Sequence, residues 1–540
     1  MRFVSRILLL GLLAAPFRVH AQEPVDHAVI DRIREEERTN SRVMDYAFAL
    51  SECFGPRMTG TPAFREAGEW ADSVLTDLGF SVHREPIDWG RGWTVERVSL
   101  SILHPQPSIL LAHAVPWSPP TDGPVEGTPV LLPLPDWETP AVYRRFFDTW
   151  RGRLAGRILL ATAEVPQGEA FHNELISRRL SEDELSERIR LQEEAAAAPS
   201  EEEESVEYDP ETFGSAEFFA WQDSLYRFLK EEGVVAILYG SGGRGGTVHL
   251  NGSMRLQPAW LRHSNHELPP PSLVVAAEHY NRLLRLLEAG EELRLQVDVA
   301  ATFHKEPAFN LVAEIPGAER PGELVMLGAH LDGWPLATAA TDNAAGVAVV
   351  MEAMRILRSL DLPLRRTVRM VLWGGHEGEG LGSRTYVQRH FDAGYPTTWL
   401  EADEEGVTHQ PLAAYDSLSA YFNLDYLAGR VRGIFLQANE PTRPIFEAWL
   451  APFEEEGAAH VSGIVGGGSD HMAFEDVGLN GFPFIQDGPM HDVMTHHSNM
   501  DVFDYLDESD LRQSAPIVAS IVYHAAMRPE LLPRKQPPSN

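Results

Sequence analysis

The chain has 540 residues, 44% of them hydrophobic and 9% aromatic, which is enough for two or three globular lobes with their own cores and too apolar for a disordered tether. Its formal net charge of −34, with Lys230, Lys305 and Lys535 as the only lysines, repels phosphate backbones and anionic lipid and excludes nucleic acid and membrane surfaces as partners. Acidity alone says nothing about catalysis, because runs such as SEEEES read as solvated faces or loops.

The opening MRFVSRILLLGLLAAPFRVHAQ sets Arg2 and Arg6 before an apolar run from Ile7 to Ala15 and a small-residue boundary at Val19-His20-Ala21. That order predicts a cleaved signal peptide over residues 1–21 and a secreted or periplasmic chain starting near Gln22. No later stretch approaches the ~20 uncharged apolar residues that span a bilayer, so the mature chain is expected to stay off the membrane. Cys53 is the only cysteine; it excludes an internal disulfide or a cysteine metal cluster and reads as a small buried apolar residue.

Residues 22–92 read as a helical layer, with a helical pattern from Val25 to about Val82, a turn at Gly55-Pro56 and an apolar stripe of Ala67, Trp70, Ala71, Val74, Leu75 and Leu78. From 93 to 302 the texture is mainly β: runs such as VERVSLSIL, GTPVLLPL, GRILLATA and VVAILYG are divided by proline and glycine, and a charged insert occupies about 169–214. The turn SGGRGG lacks the lysine and Ser/Thr pair of a phosphate loop and is assigned no cofactor. Over 303–530 strand and helix patterns alternate, through ELVMLGAH, NAAGVAVVMEAMRILRSL, RTVRMVLWGG, GSRTYVQRHF and SAYFNLDYLAG, before a tail at 531–540. Such alternation predicts an α/β unit with a largely parallel sheet, whose functional groups gather at the carboxyl ends of the strands.

Those ends carry metal-ligand residue types: His330 and Asp332, Asp342, His376 and Glu377, Asp425, and then His496, His497 and Asp501 in a late loop. Taken singly, each has an ordinary explanation. Asp342 suits a helix cap, His330 a satisfied buried histidine, Asp425 a turn and Glu377 a first-turn helix charge. Two imidazoles and three carboxylates converging from five ends instead suit a pair of borderline cations such as zinc.

The segments HLDGW, TDNAAG, HEGEGLGS, NLD, GGSDHMAF and HHSNMD occur in the order found in the family 28 di-zinc metallopeptidases, which include aminopeptidases and glutamate carboxypeptidases. The chain resembles that family from about Phe309 to Met527, with a layout most like its carboxypeptidase Q branch. The resemblance implies a three-layer α/β zinc-exopeptidase fold, built from 22–92 and 303–530, with a mainly β protease-associated-like insertion at 93–302. It further implies two zinc ions held by His330, Asp342 as the bridge, Glu377, Asp425 and His497, with Asp332, Asp470 and Asp501 behind them. The implied function is that of a secreted zinc-dependent exopeptidase, aminopeptidase/dipeptidase or carboxypeptidase Q-like, cleaving short peptides or dipeptides through a metal-bridging hydroxide. The insertion would cover the cleft or support a homodimer.

In the family two adjacent glutamates follow the glycines, the first a general base and the second a ligand; here the pair is His376-Glu377. Three readings compete. His376 is the base, since an imidazole suits proton transfer near neutrality; Glu379 reaches the water across Gly378; or turnover is lost, leaving a zinc-containing peptide-binding protein. Retained hydrolysis is favoured because all five ligands persist. A purely structural zinc would be closed by four protein ligands, whereas a shared five-ligand pair leaves coordination free.

Overall fold

The computed structural model describes residues 23–135, 139–163, 179–197, 216–251, 253–398, 409–425, 429–488 and 491–535. The predicted signal peptide and the acidic second half of the charged insert lie outside them. Among the described residues two mixed sheets of eight strands organise the chain.

The first sheet runs, edge to edge, through Ser81–Ile87, Ala308–Ile315, Arg366–Trp373, Arg320–His330, Leu418–Asn423, Gly481–Gln486, Val431–Phe435 and His460–Ser462. Its centre is parallel: Arg320–His330 pairs with Arg366–Trp373 on one side and Leu418–Asn423 on the other. Parallel neighbours need crossovers, and the helix Ala345–Ser359 makes the first of them. Alternate strand residues enter different cores. Val325, Leu327 and Ala329 join the layer that holds Ala345–Ser359 and the helix Glu508–Met527, while Leu324 and Met326 join Tyr386, Val387 and Phe474 on the opposite face. Cover on both faces is the reason these strands read as unbroken apolar runs.

On the N-terminal side, Thr61 caps the helix Pro62–Asp77 by accepting from the Phe64 amide at 3.3 Å, with Pro62 in the first turn. Phe64, Ala67, Ala71 and Leu75 are buried beneath it, while Trp70, Val74 and Leu78 are only partly covered. Helical structure does not reach Val82: Gly79 turns the chain at φ +83°, and Ser81–Ile87 becomes an edge strand. Cys53 also departs from expectation. It ends the short turn Ala49–Cys53 and is exposed, because Leu50 and Ser51 take the inward positions.

The second sheet follows the order Ser108–Leu110, Gly92–His104, Arg294–His304, Val125–Leu131, Arg157–Leu160, Ala236–Gly240, Ser272–Val275 and Ala112–Ala114. Gly92–His104 and Arg294–His304 pair antiparallel from Gly92 opposite His304 to His104 opposite Arg294, so this lobe leaves and rejoins the first through one ribbon. Four strands from Val125–Leu131 to Ser272–Val275 are mutually parallel. Their connections bring in the helices Pro140–Trp150 and Ala216–Glu231, and Ala277–Glu288 leads out to Arg294–His304, giving the lobe more helix than its β texture suggests. The helix Glu182–Ala197 of the charged insert reaches the edge of the first sheet, where Glu193 accepts from Ser462 Oγ at 2.9 Å and Glu182 meets His460 at 3.2 Å.

One buried acid marks the packing of the N-terminal helices. Glu37 is 3% exposed, against Glu352, which is itself held by Arg355 at 2.7 Å. Burial first, and then the Glu352 carboxylate, push the Glu37 carboxyl up to about 8 despite Arg512 at 3.4 Å. The native state thus keeps a proton that the unfolded chain releases near 4.5, so stability falls as pH rises from about 4.5 to about 8. Glu37→Gln is expected to stabilise the protein at pH 8 by on the order of 1–3 kcal/mol and to change little at pH 4. Thermal unfolding at the two pH values checks this; equal shifts at both would refute it.

Candidate metal centre

The two central strands and their neighbours end at one cavity. His330 closes the strand Arg320–His330 and is fully buried, with Nε2 3.1 Å from Asp342 Oδ1 and 3.0 Å from Asp425 Oδ1. The other Asp342 oxygen, Oδ2, faces His497 Nε2 at 3.3 Å, and the same nitrogen lies 3.4 Å from Glu377 Oε2. Five side chains therefore form two triads, His330 with Asp425 and His497 with Glu377, joined by the split carboxylate of Asp342. Asp342 does not cap the following helix. Asn343 does, accepting from the Gly346 amide at 3.0 Å, which leaves the aspartate free for the cavity.

Behind the triads the remaining polar groups fix direction. The main-chain carbonyl of Asp332 lies 3.1 Å from His330 Nδ1, while its carboxylate accepts from Thr59 Oγ1 at 2.8 Å and the His376 amide at 3.2 Å. Asp501 accepts from the Thr341 amide at 2.6 Å and the Asp342 amide at 3.2 Å, and so holds the bridge from below. Asp425 Oδ2 accepts from Ser469 Oγ, which accepts in turn from Asn423 Nδ2 at 2.7 Å; Tyr421 and Trp373 continue the chain. Arg57, fully buried, donates to the carbonyls of Leu331 and Ala339 at 3.0 and 2.9 Å, bracing both ends of the segment between His330 and Asp342.

So many carboxylates in one buried place require positive charge. Burial by itself would lower the His330 imidazole, but the Asp425 charge and hydrogen bonds to Asp332, Asp342 and Asp425 hold it well above its ordinary value. His497 is likewise held at about 10, against burial, by Glu377 and Asp342. Burial favours the neutral form of Asp342, yet its bonds to these two rings keep it well below the usual carboxylate range. Glu377, by contrast, is raised by burial and by the Asp342 charge, and Asp501 is pushed to about 7 for the same two reasons. Glu377 Oε1 is buried without a hydrogen-bond partner. Divalent cations fit this donor set: they would replace ring protons, favour ionised carboxylates and give the orphaned Glu377 oxygen a partner.

His376 stands beside the first triad, its ring stacked on His330 at 4.0 Å and 16° between planes. Its Nδ1 lies 3.0 Å from Asp470 Oδ2, and Nε2 faces Asp425 Oδ2 at 3.6 Å. Without cations, burial and the His330 charge are outweighed by Asp470 and Asp425, which raise this imidazole to about 9. Glu379 goes elsewhere. It sits at φ +87° with Oε1 3.1 Å from Nη1 of the buried Arg262, and the connecting Gly378 is wedged so closely that a Cβ there would fall 2.3 Å from Trp89 Cη2. The Glu379 carboxylate thus pairs with Arg262 and is not among the residues that line the cavity.

The cavity itself measures about 180 Å³ and is lined by Asp342, His376, Glu377, Asp425 and His497 together with Gln257, Trp334, Gly468 and His496. His496 lies against His497 with ring centroids 3.8 Å apart and planes tilted by 41°, and burial first, then the His497 charge, lower it to about 3. Gln257 comes from the second lobe, from a stretch where the sequence shows no ligand type or motif. Arg57 and Thr59 were missed for the same reason: a lone Arg or Thr in a helical layer carries no local signal of a partner more than 270 positions away.

Residues 310–522 match the model of Peptidase family M28. Carboxypeptidase Q of Homo sapiens is 24% identical over 265 residues, 49% of this chain and 51% of the human protein, so the chain spans about half the length of the curated relatives it matches. Among solved structures, a peptidase M28 precursor from Shewanella amazonensis SB2B superposes with a TM-score of 0.64 at 22% identity, covering 95% of this chain and 99% of that one. A zinc aminopeptidase from Bacillus subtilis gives 0.54 at 17% identity, covering 90% and 95%. These two likenesses concern fold, and they take in both lobes. Residues 310–522, the stretch that holds all five of the clustered side chains, are thus similar to the domain of Peptidase family M28.

Proposed function

We propose that this protein is an exported zinc-dependent exopeptidase that removes residues from short peptides, with two zinc ions held by His330, Asp342, Asp425, Glu377 and His497. The observation that carries the reading is the divided Asp342 carboxylate, Oδ1 toward His330 at 3.1 Å and Oδ2 toward His497 at 3.3 Å, with one further carboxylate completing each side. Bound zinc would supply Lewis-acid polarisation of a scissile carbonyl and acidify a water.

The chain's own residues do the rest. Asp470 accepts the Nδ1 proton of His376, which leaves Nε2 as the acceptor for a proton from the attacking water; positive charge bound in the triads would favour the neutral imidazole that this role needs. As the peptide bond breaks, the same Nε2 returns the proton to the leaving amine. The cavity, smaller than the ~300 Å³ typical of drug-sized ligands, suits a terminal residue better than a chain passing through. Support for peptide hydrolysis also comes from relatives described as carboxypeptidase Q and a zinc aminopeptidase.

The test is hydrolysis by the purified, zinc-loaded chain of dipeptides and of peptides blocked at the amino end, the carboxyl end or both. Cleavage is expected for substrates with at least one free end and should vanish when both are blocked. Cleavage within doubly blocked peptides would refute the exopeptidase reading.

A further inference from the structure

His497 is the one ligand of the five that the peptidase domain does not hold unaided. His330 ends one buried strand of the first sheet and Asp425 lies two residues past the end of another, and their side chains are 0% and 2% exposed. His497 sits on a loop at φ +52° with its side chain 17% exposed. The second lobe holds that loop. After the SGGRGG turn, the segment Thr247–Asn251 lies along it: the Leu250 amide donates to the His497 carbonyl at 3.0 Å, the Asn499 amide donates to the Val248 carbonyl at 3.2 Å, and His249 pairs with Ser498.

The contact continues to the ring. A histidine that offers Nε2 to a cation must carry its proton on Nδ1, and that proton needs an acceptor. Asn251 Oδ1 lies 3.0 Å from His497 Nδ1. Gln257 Nε2, 2.6 Å from the same ring nitrogen, donates to Asn251 Oδ1 at 3.3 Å and so orients the oxygen that accepts from the ring. His330 is served from within its own lobe by Asp332 and His376 by Asp470, so only His497 takes its support across the lobe boundary among the described residues.

We propose that Asn251 and Gln257 are positioning residues for His497, so that the second lobe sets cation affinity in the His497–Glu377 half of the centre and leaves the His330–Asp425 half alone. This rests on the two-cation reading above. The amide acceptor at Asn251 also suits the charge balance, because a carboxylate in its place would add to an already crowded acidic site.

The test is zinc content per full-length chain by elemental analysis, measured across graded concentrations of a chelator. The wild type is expected to hold two ions. Asn251→Ala and Gln257→Leu should weaken one ion roughly 10–100-fold and leave the other at its wild-type affinity, while Asn251→Asp, which keeps the acceptor, should restore most of the loss. Two ions retained at wild-type affinity in both variants would overturn this inference while leaving the proposed function intact. Equal loss of both ions would overturn it as well, by showing a general loosening of the fold. A wild-type chain holding fewer than two ions at saturating zinc would overturn the two-cation reading itself, and this inference with it.

Discussion

Asp342→Ala is expected to cut bound zinc from two ions per chain to one or none, and to reduce peptide hydrolysis about a thousandfold or more. Asp342 joins the two triads, its Oδ1 facing His330 at 3.1 Å and its Oδ2 facing His497 at 3.3 Å, so its loss removes a donor from both sides at once. A metal pair contributes several kcal/mol of transition-state stabilisation, and each 1.36 kcal/mol is about tenfold in rate. Asp342→Asn tests the same point with less disturbance, because it preserves side-chain size. Elemental analysis after mild dialysis decides the matter. A variant that still holds two ions would mean that the triads are not bridged at this residue.

The second large effect is expected at His376. Removing its ring by His376→Ala should lower kcat by roughly 10²–10⁴ while zinc content stays at two, as for loss of a general base. Asp470→Asn should imitate much of that loss, since an amide at Nδ1 no longer fixes the proton there and Nε2 ceases to be a dependable acceptor. Glu379→Gln should change kcat little, because its carboxylate is spent on Arg262 and its loop is wedged under Trp89. His376→Glu would install the carboxylate that the family pattern carries at this place and should preserve hydrolysis with a more acidic pH profile. Steady-state kinetics beside metal analysis separates these outcomes; a large loss in Glu379→Gln with little in His376→Ala would move the base to Glu379.

The two predictions draw on different kinds of information. That His330, Asp342, Glu377, Asp425 and His497 are ligand types at strand or loop ends is a local matter: apolar runs of strand length stop, and a polar residue follows. Period and composition are written into neighbouring residues, and the parallel sheet then brings its carboxyl ends together. The α/β alternation from Phe309 onward and the helix Pro62–Asp77 were legible for the same reason. Where the sequence left two readings open, as for Asp342, it could not tell which of two adjacent side chains caps the helix; packing gave that task to Asn343.

What the amino-acid order determined by itself, then, was which residues could serve as ligands and on which kind of element each would lie. The tertiary structure decided their companions. Glu379 and His376 are three positions apart, yet Trp89 and Arg262, from two other parts of the chain, turn one away while Asp470 turns the other in. Cys53 looked like a core residue and lies exposed, because a single turn sets which of Leu50, Ser51 and Cys53 faces inward. Arg57, Asn251 and Gln257 have no periodic neighbour to announce them; their meaning comes from carbonyls and a ring contributed by chain more than 230 positions distant. Local order selects an element through short-range sterics and periodicity, whereas a hydrogen bond between distant segments exists only after both have packed.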